Sequence, residues 1–297
     1  MLSHLKSYNP THLPKLPPSK CAKIPLFDLV ALLLNSHCPP EMKKILLLNK
    51  KEGETPLEAL ENFRAKNKKY KDAKEIRMTY AGRLDPLVSG LLVILVGNAV
   101  HEKEKYLGLS KEYKFSVLFG FATDTYDILG KVHSNILTNI GMKELEKKIK
   151  QNLKFFTGKF MQSYPMYSSK TVSGKPLFAY ARAGRVVKIP KREVSVQSLK
   201  FFGMRKISAK KLLENIERRI AKVRGDFRQK EILKIWRKEL KSEQGLPLLK
   251  IADFKIKCGS GTYVRAIAND LGERIGIPAL AFSIKRTKIG KWSKMIL

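Results

Sequence analysis

Cysteine, histidine and acidic residues are all scarce in this 297-residue chain, and each scarcity removes a class of chemistry. The three cysteines, Cys21, Cys38 and Cys258, stand far apart, with no Cys-x-x-Cys pair among them. The five histidines, His4, His12, His37, His101 and His133, are equally scattered. Neither a zinc site nor a disulfide framework is indicated. Long apolar runs are missing as well. The longest near the N-terminus, Leu26 to Leu34, is interrupted by Asp28, too short to span a bilayer and too far in for a signal peptide. The expected location is the cytoplasm, with no membrane partner.

The shortage of acids matters most. Lys plus Arg number 59 and Asp plus Glu 26, which leaves +33. Such an excess makes a strongly positive surface, and its natural partner is a polyanion, nucleic acid above all. An anionic membrane would ask for an anchor or an amphipathic basic helix besides. A thermophile-like surface would intersperse both signs rather than favour one about twofold. Intrinsic disorder is excluded by the periodic apolar segments that run almost throughout.

What is present supports a core. Hydrophobic residues make up 43% of the chain, and its length allows one large domain or two small ones. Residues 1–43 read as an extension, Pro- and Lys-rich at first, with a short apolar segment at Ile24 to Leu34 closed by Pro39-Pro40. Residues 44–297 read as the main domain, beginning with a buried strand at Lys44 to Leu48. Thr55-Pro56-Leu57-Glu58 carries a helix start, with Thr as N-cap, Pro in the first turn and Glu completing a capping box. Leu57, Leu60 and Phe63 form the expected inward stripe of that helix. Lys66 to Lys74 reads as a basic loop.

Lys111 to Gly120 alternates as a strand, with Tyr113, Phe115, Val117 and Phe119 on one face. Residues 122–127 follow as a polar loop, and Met142 to Phe156 reads as a helix with Leu145, Ile149 and Leu153 inward. Between residues 204 and 244 the pattern changes to two basic amphipathic helices meeting near Gly225-Asp226. Strand-like flanks, Glu193 to Phe202 and Leu248 to Cys258, make this a helical hairpin inserted between neighbouring strands. It is either a solvated insertion or an arm that contacts RNA.

The most informative stretch is residues 79–97. One carboxylate, Asp85, sits in a Gly82-x-x-Asp85-Pro86 turn directly before the apolar run Leu91 to Val96. Aspartate before proline is common in turns, whereas a lone aspartate at the mouth of a strand also suits nucleophilic or acid–base work.

Four blocks decide between these. The first is Gly82-x-Leu84-Asp85-Pro86-x-x-Ser89-Gly90-Leu91-Leu92. The second runs from Glu112-Tyr113-Lys114-Phe115 through Ala122-Thr123-Asp124-Thr125-x-Asp127-x-x-Gly130. The third is Gln162-x-x-Pro165-x-Tyr167-Ser168 through Gly174-Lys175 and Ala181-Arg182-x-Gly184, then Ile189-Pro190-x-Arg192-x-Val194. The fourth is Cys258-x-x-Gly261-Thr262-Tyr263-Val264-Arg265-x-Ile267-Ala268-x-Asp270-Leu271-Gly272, then Lys285-Arg286-Thr287-x-Ile289-Gly290. In order and spacing they resemble the TruB-type tRNA pseudouridine synthases.

The resemblance implies an α+β fold with a mixed, largely antiparallel central sheet and flanking helices. It implies a tRNA substrate, the T-loop uridine (position 55), isomerised by base flipping without a cofactor. Asp85 would be the catalytic carboxylate, and aspartate side chains are ionised at neutral pH without special tuning. Arg265 matches the family arginine that pairs with it; by pattern alone it lies off the apolar stripe Val264, Ile267, Ala268, Leu271, Ile275 of a helix started at Thr262, as a surface arginine would. Tyr113 matches the tyrosine that stacks on the target base, though its alternating strand also fits a core position. Tyr263 matches the second site tyrosine and Ile284 an apolar wall.

Two departures stand out. Where the family usually has a histidine, five residues before the aspartate, this chain has Tyr80, which can stack but does not titrate in the same range. Arg83 makes an Arg-Leu-Asp sequence similar to that of ribosomal-RNA-acting synthases, and is a candidate for the displaced-base position. A synthase acting on ribosomal RNA is therefore one alternative, and a non-catalytic RNA-binding protein of the same fold another. The sequence ends at Leu297, seven residues beyond Gly290. Where family members commonly continue into an RNA-binding domain, the 204–244 insertion or the basic extension is expected to grip RNA instead. A monomer without an obligate protein partner is expected.

Overall fold

A computed structural model describes residues 44–73, 75–136, 139–241 and 248–293. The extension read over residues 1–43 lies outside these, as do Cys21 and Cys38. In chain order the strands are β1 (Lys44–Lys50), β2 (Met78–Ala81), β3 (Val88–Val96), β4 (Lys111–Phe119), β5 (Phe121–Thr123), β6 (Val132–Asn135), β7 (Gly158–Ser163), β8 (Thr171–Val172), β9 (Lys175–Pro176), β10 (Lys191–Ile207), β11 (Leu249–Cys258) and β12 (Ala279–Ile289). The helices are α1 (Pro56–Lys66), α2 (Lys68–Lys71), α3 (Lys103–Leu107), α4 (Met142–Asn152), α5 (Leu177–Arg182), α6 (Ala209–Ile220), α7 (Gln229–Lys241) and α8 (Val264–Ile275).

Eight strands form one sheet in the order β1-β3-β12-β4-β11-β10-β7, with β2 paired to β3. Every pairing is antiparallel except β12 with β3, where Ile284, Lys285 and Arg286 lie beside Val88, Ser89 and Gly90. The sheet is thus mixed and largely antiparallel, as the resemblance implied. Strand β3 is apolar at nearly every position because both of its faces are covered. Leu91, Val93 and Leu95 enter one cluster with Leu47 and Tyr106; Leu92, Ile94 and Val96 enter another with Ala59, Leu60 and Tyr70.

The alternation of β4 places Tyr113, Phe115, Val117 and Phe119 in the largest core cluster, packed by Leu145 and Ile149 of α4 and by Val264, Ile267, Ala268, Leu271 and Ile275 of α8. Leu118, pointing the other way, joins a second cluster. There α6 and α7 pack Leu212, Ile216, Ile220, Ile232, Trp236 and Leu240 against Leu249, Ile251, Leu280 and Phe282. The inserted hairpin therefore covers one face of the sheet and is as well packed as the helices on the opposite face. Cutting it out would uncover that face.

Some local expectations need correction. Leu57 is 51% exposed, so α1 is held by Ala59 and Leu60 with only partial help from Phe63. Its capping box forms as expected, with Thr55 Oγ1 accepting from the Glu58 amide and Glu58 accepting from the Thr55 amide. The basic stretch after α1 coils into α2, where Tyr70 buries its ring. The helix begun at Met142 changes to a 3-10 turn over Leu153–Phe156. The expected polar loop at 122–127 begins inside β5, which pairs with β6. Helix α8 starts at Val264 with Tyr263 as its N-cap, slightly later than its sequence pattern suggests.

Candidate active site

A cavity of about 630 Å³ opens where the N-terminus of β3, the start of α8 and the loop after β5 converge. Its volume falls within the range of ligand pockets. Asp85, Arg265, Tyr113, Tyr263, Tyr80 and Ile284 all line it, and Arg83 does too. Residues as far apart in the chain as Tyr80 and Ile284 thus meet in one place.

The Asp85 turn is set by backbone geometry. Gly82 has φ +88°, a left-handed conformation that a side chain would resist, and Val88 donates its amide to the Asp85 carbonyl at 3.0 Å. Lys50, fully buried at the end of β1, donates to the carbonyls of Pro86 at 3.1 Å and Lys51 at 3.0 Å. Burial strips water from its ammonium, and this desolvation lowers its pKa to about 8 although Glu54 and Asp85 oppose the shift. Gly90 lets β12 approach: a Cβ there would lie 2.2 Å from the Arg286 carbonyl.

Arg265 carries the centre of the arrangement. Its side chain is 3% exposed, so the reading as a surface helix arginine is corrected: α8 turns that face into the cleft. Nε donates to Asp85 Oδ2 at 2.9 Å, Nη1 to the Thr125 carbonyl at 2.5 Å, and Nη2 to the Tyr167 carbonyl at 2.8 Å. Burial works against the guanidinium charge, but Asp85 and Asp127 more than offset it and hold the pKa above the ordinary value. The fork leaves no freedom, because three acceptors from three segments fix its plane. Asp85, with its side chain 38% exposed, keeps one face open to the cavity.

Asp127 is a second carboxylate nearby. Desolvation pushes its pKa up, Asp85 adds to the shift, and Arg265 with the bond from Thr125 Oγ1 counters it. Its Oδ1 accepts from Thr125 Oγ1 at 2.7 Å and from the Leu129 amide at 2.9 Å, which stiffens the loop that offers Thr125 to Arg265.

The aromatic walls are positioned as firmly. Gln162 clamps Tyr263, donating to its carbonyl at 3.1 Å and accepting from its amide at 2.9 Å. Tyr164 packs edge-on against the Tyr263 ring at 5.7 Å. Burial raises the pKa of the Tyr263 hydroxyl, and the Asp85 charge raises it further. Tyr113 is 9% exposed and belongs to the large core cluster while also lining the cavity. Tyr80 is half-buried, with the Lys103 ammonium 5.7 Å from its ring centre, and Arg83 stands exposed at the mouth.

Several cavity residues had no role assigned from the sequence. Thr125, Asp127 and Tyr167 lie within the four blocks, but backbone carbonyls leave no compositional trace. Arg286, 1% exposed, donates from Nε to the Leu91 carbonyl at 2.7 Å and keeps Nη2 buried without a hydrogen-bond partner. Arg228 comes from the inserted hairpin, and nothing in the sequence distinguishes it from its basic neighbours.

The family model for the TruB family pseudouridylate synthase N-terminal domain matches residues 68–214. A tRNA pseudouridine synthase B of Ligilactobacillus salivarius is 31% identical over 249 residues, covering 84% of this chain and 68% of that protein. The chain belongs to the TruB family of pseudouridylate synthases. The Protochlamydia amoebophila tRNA pseudouridine synthase B is 30% identical over 255 residues, 85% of this chain and 76% of its own length. The Aquifex aeolicus protein of that name is 29% identical over 252 residues, 85% and 70%. Among solved structures, a chain of a Cbf5-Nop10-Gar1 complex superposes with a TM-score of 0.50 at 18% identity, over 84% of this chain. This chain spans half of the length of that one, and the likeness speaks for the fold alone.

As a family member the chain is a pseudouridylate synthase, an isomerase. Among the described residues no group of His, Cys, Asp or Glu could hold a metal ion, and no helix is long and apolar enough to cross a membrane. Cys258 is buried and free, its thiol pushed up to about 11 by desolvation.

Proposed function

We propose that this TruB-family chain converts the T-loop uridine of tRNA to pseudouridine, with Asp85 as the catalytic carboxylate. The observation that carries this reading is the Asp85–Arg265 pair, 2.9 Å apart, its arginine buried and its carboxylate open to the cavity. The relatives named tRNA pseudouridine synthase B support tRNA as the substrate. A target base inside a folded RNA cannot reach a recessed carboxylate, so the nucleotide must be flipped into the cavity. Tyr113 supplies a π-face for the uracil, Tyr263 and Ile284 the walls. Tyr80 and the exposed Arg83 line the same cavity and would meet the displaced partner of the flipped base.

The reaction breaks the bond between the ribose C1′ and uracil N1, turns the base, and joins C1′ to C5. The C5 proton leaves and N1 gains one, so no electrons are exchanged and no cofactor is needed. Asp85 acts on the nucleoside while Arg265 holds the carboxylate in place as the substrate excludes water. RNA is gripped by the basic surface, with the hairpin of α6 and α7 contributing the exposed basic side chains Lys210, Lys211 and Arg218 of α6. The reading takes the protein as a monomer working in the cytoplasm.

The test is tritium release from a tRNA transcript labelled at C5 of uridine, for wild type and for the nearly isosteric Asp85→Asn. Release by wild type that disappears in the variant, and in a transcript whose T-loop uridine is replaced by cytidine, is the expected result. Equal release by the Asn variant would remove Asp85 from its role. Release from ribosomal RNA but not from tRNA would favour the alternative substrate that Arg83 suggests.

A further inference from the structure

Arg228 is placed by the inserted hairpin, at the turn between α6 and α7, with φ +65°. A non-glycine residue rarely adopts this left-handed backbone, so the turn is held there by its surroundings. The Arg228 amide donates to Asp226 Oδ1 at 3.1 Å, the Asp226 carbonyl accepts from Arg182 at 2.7 Å, and Trp236 of α7 donates to the Ile128 carbonyl at 3.2 Å. The hairpin is thereby tied to the segment bearing Tyr167 and to the loop after β5.

From that turn the Arg228 guanidinium lies over the Tyr167 ring, 4.1 Å from its centre, and donates to the Tyr167 hydroxyl at 2.6 Å. It also donates to both Asp124 oxygens, at 2.6 Å and 3.3 Å. The side chain is 16% exposed, and its partner Asp124 is 26% exposed. Tyr167 and Thr125, the residue after Asp124, are the two that offer their carbonyls to Arg265. One cation from the insertion therefore braces both backbone acceptors that aim Arg265 at Asp85.

We propose that Arg228 is a positioning residue for the Asp85–Arg265 pair, carried into the active site by the inserted helical hairpin. It does not touch the reacting atoms. It holds Tyr167 and the Asp124–Thr125 turn so that the fork of Arg265 keeps its plane and Nε stays on the carboxylate. The inference rests on the roles given above to Asp85 and Arg265. Its consequence is that the insertion is part of the catalytic architecture, beyond any grip on RNA.

Two measurements on the full chain decide it, with Arg228→Ala, Arg228→Lys and, as a control on the same hairpin, Glu214→Gln. In single-turnover tritium release at saturating enzyme, Arg228→Ala is expected to slow the step by about 10- to 100-fold while tRNA affinity changes less than about twofold, as a small misplacement of a catalytic group does. Arg228→Lys keeps the charge but lacks the fork that bridges ring, hydroxyl and carboxylate, so it retains affinity and does not recover rate. A rate unchanged in Arg228→Ala, or a loss confined to affinity, overturns the proposal. The second readout needs no RNA: the proton–nitrogen signal of Arg265 Nε, assigned with Arg265→Lys. Faster exchange of that proton with water in Arg228→Ala, and not in Glu214→Gln, is the expected result; an unchanged signal refutes the bracing. Should wild type release no tritium, the proposed function fails while this signal still decides the role of Arg228.

Discussion

Arg265→Met takes away one guanidinium and strands three acceptors, and the cost can be worked out from their surroundings. The carbonyls of Thr125 and Tyr167 lose donors at 2.5 Å and 2.8 Å in a place where Arg265 itself was 3% exposed. A buried acceptor left unpaired costs roughly 1–3 kcal/mol. The Asp85 carboxylate also loses its partner, but its side chain is 38% exposed, so solvent takes over and its share falls to about 0–1 kcal/mol. Methionine refills most of the volume, which leaves a total of about 2–7 kcal/mol against a domain stability of roughly 5–15 kcal/mol. The variant should fold, with its urea midpoint clearly lowered. A double-mutant cycle with Asp85→Asn separates the contributions. Coupling between the two positions in stability should be about 1 kcal/mol or less, because the arginine is held chiefly by the carbonyls. In turnover the same two substitutions should be strongly non-additive, each abolishing release alone. A stability loss under about 1 kcal/mol would mean that the carbonyls do not depend on Arg265. Coupling above about 3 kcal/mol would mean that the carboxylate is held out of water, contrary to its exposure at the cavity wall.

The pH dependence of stability follows from the buried lysines. Lys50 and Lys111 each have their pKa lowered by desolvation, from 10.5 to about 8. Between about pH 8 and 10.5 the unfolded chain still holds protons that the native state has released, so stability should rise with pH across that window. In Lys50→Met the slope should be shallower than in wild type by the share of Lys50, measured by urea midpoints at the two ends of the window; Lys111 and the opposing thiol of Cys258, raised to about 11, are common to both proteins. Identical slopes in both proteins would show that Lys50 is not desolvated. For the RNA grip, replacing Lys210, Lys211 and Arg218 with glutamine should leave the tRNA-saturated rate intact and weaken binding. The slope of log affinity against log salt should fall by about 0.9 for each phosphate no longer neutralised. An unchanged slope would place the grip elsewhere on the molecule.

What the residues spell out and what the packing adds separate along physical lines. Periodicity made β3, β4, α8 and the two inserted helices legible, because burial on one or both faces imposes a repeat that survives in composition. The exposure of Leu57 escapes that pattern, because three apolar residues at helical spacing cannot say which of them faces the sheet. Asp85, Tyr113, Tyr263 and Arg265 could be singled out only through the four blocks that resemble the TruB family; by pattern alone Arg265 reads as a surface arginine and Tyr113 fits a core position. The sequence by itself therefore determined the charge that selects a polyanion and the order of the elements, and through its resemblance to the family it named some of the groups around the cleft. Only the tertiary structure decided what holds them. The carbonyls of Thr125 and Tyr167 carry no residue-specific signature, and Arg265 looks like a surface arginine until the loops close over it. Arg228 looks like one more basic residue of a basic helix pair until the packing of Trp236 and the other stripe residues fixes the hairpin on the sheet. Which face an arginine meets is a property of how distant segments pack, and no local repeat in the chain encodes it.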